Sequence, residues 1–130
     1  MSTTDAGEFY MSCSYRDLLV WQKSMALVKA IYQETRSFPK EELYGLSSQM
    51  RRAAVSVPCN IAEGQGRMSK KEFNQFLAVS RGSVLELETQ LQIAADLGFL
   101  SADNVQQLIS KTEELPRMLK GLNGVPSPIT

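Results

Sequence analysis

The sequence predicts an all-α protein, an antiparallel up-down-up-down four-helix bundle whose second helix is bent at Pro58. Three observations carry that prediction. Apolar residues recur at three- and four-residue spacing along four segments. Glycines, prolines and capping residues fall between those segments. No segment shows the apolar-polar alternation of a half-buried strand. Short connections make consecutive helices antiparallel neighbours. With 130 residues, 43% of them hydrophobic, the chain has material for one domain around one core. The bundle is expected over residues 15–122, with flexible tails at 1–14 and 123–130.

The first helix is expected from Asp17 to about Ser37, with Leu18, Trp21, Met25, Val28, Tyr32 and Thr35 on its inner face and Asp17 capping its positive first turn. Phe38-Pro39 ends it, because the residue before proline is pushed out of the helical region, and Pro39 opens a short turn through Leu43. The second helix runs from about Leu46 to Gly64 or Gly66, with Leu46, Met50, Ala53, Val57 and Ile61 inward. Inside it, Pro58 has no N–H to give Ala54 and its ring crowds that carbonyl, so the helix must bend or open there. Asn60 is the candidate to occupy a carbonyl freed by the bend, with Ser56 bonding back to the preceding turn.

Gly64-Gln65-Gly66 stops that helix, and Ser69 with Glu72 reads as a capping box for the next. The third helix, Lys70 to about Leu97, turns Phe73, Leu77, Ser80, Val84, Leu87, Leu91 and Ala94 inward and ends at Gly98. Ser101 caps a fourth with Val105, Leu108, Thr112, Leu115, Leu119 and Leu122 inside, where Pro116 predicts a bend or a break into two pieces.

Charge and composition narrow the function classes. Lysine plus arginine number 14 and aspartate plus glutamate 14, so no overall field draws the protein to nucleic acid or an anionic membrane. Between Arg51 and Arg81, however, six basic residues (Arg51, Arg52, Arg67, Lys70, Lys71, Arg81) stand against two acidic ones, Glu63 and Glu72. No segment is apolar enough to span a bilayer, and residues 1–14 have neither a basic start nor an apolar run. Cys13 and Cys59 do not form a disulfide framework, which fits a reducing cytoplasm.

The chain contains no histidine, which removes the usual general base, the Ser-His and Cys-His nucleophile pairs and the carboxylate-histidine cage of di-iron bundles. No catalytic residue, cofactor or metal site is expected. Cys59 beside Pro58 reads as a small residue in a crowded bend. Gly64-x-Gly66-Arg67 follows a helix, where a phosphate loop would follow a strand. Glu86 and Glu88 cannot face the same way on a helix, so they do not make a ligand pair. Arg51 and Arg52 lie about 100° apart and are expected to meet Glu63, Glu86 or Glu88 in an ion-pair network at a helix or subunit interface. Gly82, flanked by Ser80 and Ser83, is expected to permit close backbone approach by the second helix or another chain.

Three stretches then carry a resemblance: LLVWQKSMALV at 18–28, FPKEELYGLSSQMRRAAVSVPCNIAEG at 38–64 and KEFNQFLAVSRGSVLELETQL at 71–91. Trp21-Gln22, Phe38-Pro39, Tyr44-Gly45-Leu46, Gln49, Arg51-Arg52, Asn60 to Gly64 and Gly82-Ser83-x-x-Glu86-Leu87-Glu88 fall in the order of the 23S rRNA intervening-sequence proteins, a four-helix-bundle family related to the accessory variability proteins of diversity-generating retroelements, which this chain resembles. Cys59 stands where that family usually has a small polar residue. The resemblance implies a homopentameric ring without catalytic activity, and its retroelement members bind a reverse transcriptase and nucleic acid through a basic surface. Two expectations follow: a non-enzymatic, ring-forming interaction protein or, as the alternative, a weak RNA- or DNA-binding accessory protein acting through the six basic residues repeated around the ring.

Overall fold

The computed structural model describes residues 14–123; the expectations for residues 1–13 and 124–130, Cys13 among them, lie outside the described residues. Four helices form: α1 Leu19–Thr35, α2 Leu46–Gln65, α3 Lys70–Asp96 and α4 Ala102–Asn123, with 3₁₀ turns at Tyr15–Asp17 and Lys40–Glu42 and no strand among the described residues. Each helix packs on its two sequence or end neighbours, α1 on α2 and α4, α3 on α2 and α4, and neither diagonal pair brings Cα atoms within 8 Å of each other. Cross-helix bonds show the antiparallel register: Ser80 and Ser83 of α3 meet Val57 and Ser56 of α2, and Glu88 of α3 meets Thr112 of α4. None of the described helices is long and apolar enough to cross a membrane.

The ends of the elements follow local chemistry. The hydroxyl of Ser69 accepts from the Glu72 amide at 3.1 Å and donates back to the Glu72 carboxylate at 3.3 Å, so the first half of the expected capping box forms while the second is replaced by a side-chain contact. The full reciprocal box occurs earlier, between Ser14 and Asp17. Asp17 therefore closes a 3₁₀ turn, and α1 begins beyond it at Leu19 with no side-chain cap. At the other end of α3, Gly98 takes φ +77°, with bonds from Gly98 N–H to Ala95 and Phe99 N–H to Ala94, the double closure that needs a residue at ease in the left-handed region. Phe99 then folds onto Phe38, ring centres 5.4 Å apart.

The inner faces of α3 and α4 are those the periodicity predicts: Phe73, Leu77, Ser80, Val84, Leu87, Leu91 and Ala94 are buried, as are Leu108, Thr112, Leu115 and Leu119. In α2 Met50, Ala53, Val57 and Ile61 are buried, joined by Ala54 and Pro58. The expectation for α1 is corrected. Its buried row is Val20, Ser24, Leu27, Ile31 and Thr35, whereas Met25 and Tyr32 are 44% and 40% exposed. Apolar residues cover more than half the circumference of α1, so two rows about 100° apart both fit the helical template. Packing selects the row whose middle residue is small, and its hydroxyls are satisfied within the helix: Ser24 donates to the Trp21 carbonyl at 2.8 Å and Thr35 to that of Ile31 at 2.7 Å.

Both prolines sit inside unbroken helices. Of the two outcomes expected at Pro116, a bend or a break, the break does not occur: Leu115 and Leu119, both fully buried, hold the helix to the core on either side of the missing N–H.

Candidate functional site

α2 presents Arg51 and Arg52 in its first half, but neither meets a carboxylate. Arg51 reaches toward α1: its Nε donates to Thr35 Oγ1 at 2.9 Å and its guanidinium lies 4.8 Å from the centre of the Tyr32 ring. Arg52 is exposed and lines a small cleft with Gln49, Ser83 and Glu86 without forming an ion pair. The acidic residues expected to hold them are engaged elsewhere. Glu63 pairs with Arg67 one turn on at 2.8 Å, Glu86 accepts from Gln90 at 3.4 Å and Glu88 accepts from Thr112 at 2.7 Å. The reason is rotational: the row of α3 that faces α2 holds Ser80 and Ser83, which leaves Glu88 turned toward α4.

Those serines build a short polar ladder around Pro58. Ser80 donates to the Val57 carbonyl at 2.9 Å, Ser83 to the Ser56 hydroxyl at 2.8 Å, and Asn60 Nδ2 donates to the Ser56 carbonyl at 2.8 Å and its hydroxyl at 2.9 Å. Asn60 does occupy the helix turn containing the proline, but not the carbonyl the proline frees. That carbonyl is Ala54's, six residues back, whereas a helical side chain leans toward the N-terminus and reaches the carbonyl four residues back. Asn60→Leu is expected to lower stability by about 1 kcal/mol through loss of these bonds. Chemical unfolding beside wild type checks it, and an unchanged midpoint would mean that the two Asn60 bonds contribute nothing.

The two singled-out glycines exchange roles. Gly82 is exposed, and a Cβ there would meet nothing within 4 Å, so it makes no close approach within the chain. Gly64, read as a helix stop, lies buried inside α2, where a Cβ would stand 2.9 Å from Phe76 Cβ and 3.3 Å from the Phe73 carbonyl oxygen. The close approach of α2 and α3 is here, a full helix end away from Gly82.

The six basic residues are divided along the bundle, with Arg67, Lys70 and Lys71 at the α2–α3 turn and Arg51 and Arg52 in the first half of α2. Arg51 and Arg52 lie about 20 Å from the end of α2 at Gln65 by the rise per residue, and Arg67 lies beyond that end. Arg67 is tied to Glu63 and stacked 4.7 Å from the Phe76 ring. Lys70 and Lys71 are exposed in the first turn of α3, and Arg81 is half-buried with its Nη1 enclosed and without a hydrogen-bond partner.

What the fold does assemble is a groove on the outer side of the α1–α2 seam. One part, about 740 Å³, lies between Tyr32, Leu43, Tyr44, Arg51, Val55 and Cys59, and Val55 and Cys59 carry it into a second part of about 340 Å³ walled by Trp21, Met25, Val28 and Pro58. It offers aromatic and aliphatic surface, two guanidinium groups and an exposed thiol, with no carboxylate in its walls. Tyr44, at 91% exposure, is the residue that sequence reasoning gave no role, since only the turn after Pro39 lifts it to the groove mouth. Among the described residues no three histidine, cysteine or carboxylate side chains converge.

This bundle is that of a known group. The family model described as 23S rRNA-intervening sequence protein matches residues 16–121, from the first 3₁₀ turn to the last turn of α4. The chain belongs to that family. This intervening-sequence protein also superposes on the crystal structure of a protein with unknown function from the S23 ribosomal protein family of Bacteroides thetaiotaomicron VPI-5482, with a TM-score of 0.73, 18% identity, and coverage of 82% of this chain and 99% of that one. At that identity the two share a fold. No curated protein matches the intervening-sequence protein described here.

Proposed function

We propose that this intervening-sequence protein is a non-enzymatic, homo-oligomeric interaction protein of the cytoplasm, its bundles joined side by side into a ring of five. One observation carries the reading: with the core complete, large apolar side chains still stand exposed, among them Leu85, Ile93 and Leu97 along α3 and its C-cap and Met25, Tyr32, Leu43 and Tyr44 around the groove. Contiguous exposed apolar surface of this kind marks association sites on soluble proteins. The lack of histidine supports a binding role over acid-base chemistry, and the exposed, unpaired Cys59 fits a reducing compartment. The ring size rests on the family resemblance. The dispersed cations favour no second reading, since Arg51 and Arg67 are engaged within the chain. Light scattering at micromolar concentration is expected to give a mass near five chains, and a strict monomer would overturn the proposal.

A further inference from the structure

We infer that copies of this protein associate head to tail, the outer row of α3 in one copy seating in the α1–α2 groove of the next. The inference rests on the self-association proposed above and adds which two surfaces meet.

The row is Leu85, Thr89, Ile93 and Leu97, spaced four apart and all exposed, the three apolar members at 56%, 42% and 58%. Residues four apart form the ridges that helices press into neighbouring grooves. From Leu85 to Leu97 the ridge is about 18 Å long, and along α2 the groove from Ser48 to Ala62 is about 21 Å. Gly82, one turn before the ridge and open to solvent, lets the facing helices approach closely at that end. This gives the exposed glycine a use that the chain by itself does not.

Charge and symmetry together select the pairing. From Gly82 to Ser110 there is no lysine or arginine, while Glu86, Glu88, Asp96 and Asp103 are acidic. The groove walls hold Arg51 and Arg52 and no carboxylate. Arg81 stands on the same row one turn before Leu85, so charge alone does not bar ridge on ridge, but that like-on-like contact closes at two chains and builds no ring; groove on groove would set arginines against arginines. Ridge in groove sets the acidic side of α3 against Arg51 and Arg52 and leaves each copy one further groove and one further ridge to offer. Because the two surfaces differ and sit on different sides of the bundle, each copy offers both at once. Such a contact closes into a ring when its rotation permits.

The test uses two exposed positions, so that the fold is spared: Cys59→Glu in the groove and Leu85→Arg on the ridge. Each variant, with wild-type far-ultraviolet circular dichroism, is expected to fall to single-chain mass. Mixed in equal amounts they are expected to form a two-chain complex and nothing larger, since the mixture retains one intact groove and one intact ridge. Thr89→Arg replaces Leu85→Arg should that variant lose helicity. A wild-type oligomer whose mass neither variant changes, or a mixture that stays at single-chain mass, overturns the ridge-to-groove contact while leaving self-association standing. A wild-type monomer removes self-association itself.

Discussion

Leu27→Ala is expected to lower stability by about 2 to 5 kcal/mol, whereas Met25→Ala, two residues earlier, shifts it by no more than about 0.5 kcal/mol. Leu27 is fully buried in the core beside Ile31, and truncation leaves a cavity that the surrounding helices fill only in part. Met25 is 44% exposed at the edge of the groove. At about 4 °C per kcal/mol for a domain of this size, the first change lowers Tm by roughly 8 to 20 °C. Because Met25 lines the surface assigned to a second copy, the comparison belongs in the Cys59→Glu background, where the groove is uncovered. Equal losses from the two variants, or a larger one from Met25→Ala, would return the inward face of α1 to the row beginning Leu18, Trp21 and Met25.

The second large effect separates two glycines of equal standing in the sequence. Within a helix, glycine costs roughly 0.5 to 1 kcal/mol relative to alanine, so replacement normally stabilises. In the Cys59→Glu background, where copies are separate, Gly82→Ala is expected to show that gain, since within one chain its Cβ enters open space. Gly64→Ala is expected to reverse the sign, losing about 1 to 2 kcal/mol. Its Cβ would stand 2.9 Å from Phe76 Cβ, an atom fixed to the α3 backbone, so relief requires the two helices to part. Gly64→Val would cost more. Urea unfolding of the alanine variants decides it: midpoints moving in the same direction would refute the close contact of α2 with Phe76.

The inner faces of α3 and α4 are legible in the amino-acid sequence. On each of these helices one apolar row runs from end to end, while the outer apolar row of α3 is confined to its second half, so the spacing of Leu77, Val84, Leu87 and Leu91, and of Leu108, Leu115 and Leu119, selects the inner face. Ser69, Gly98 and Ser101 act on amides or carbonyls within a few residues of themselves, and local chemistry of that range is written in the sequence. The basic and acidic residues are equally visible there, but not their partners. Arg51 has Thr35 and Tyr32 because α1 and α2 cross at one rotation among several that the apolar pattern allows.

Helix count, helix order, antiparallel course and family all follow from the sequence alone, because periodicity, caps and breakers act over a few residues. Tertiary packing was needed to select the row of α1 that faces inward, to place the close approach at Gly64 and not at Gly82, and to set Asn60 against Ser56. It also gathers Tyr32, Tyr44, Arg51 and Cys59 around one groove. Each of these depends on how a helix is rotated about its own axis against its neighbours, a quantity set by the collective fit of side chains from several helices and encoded at no single position.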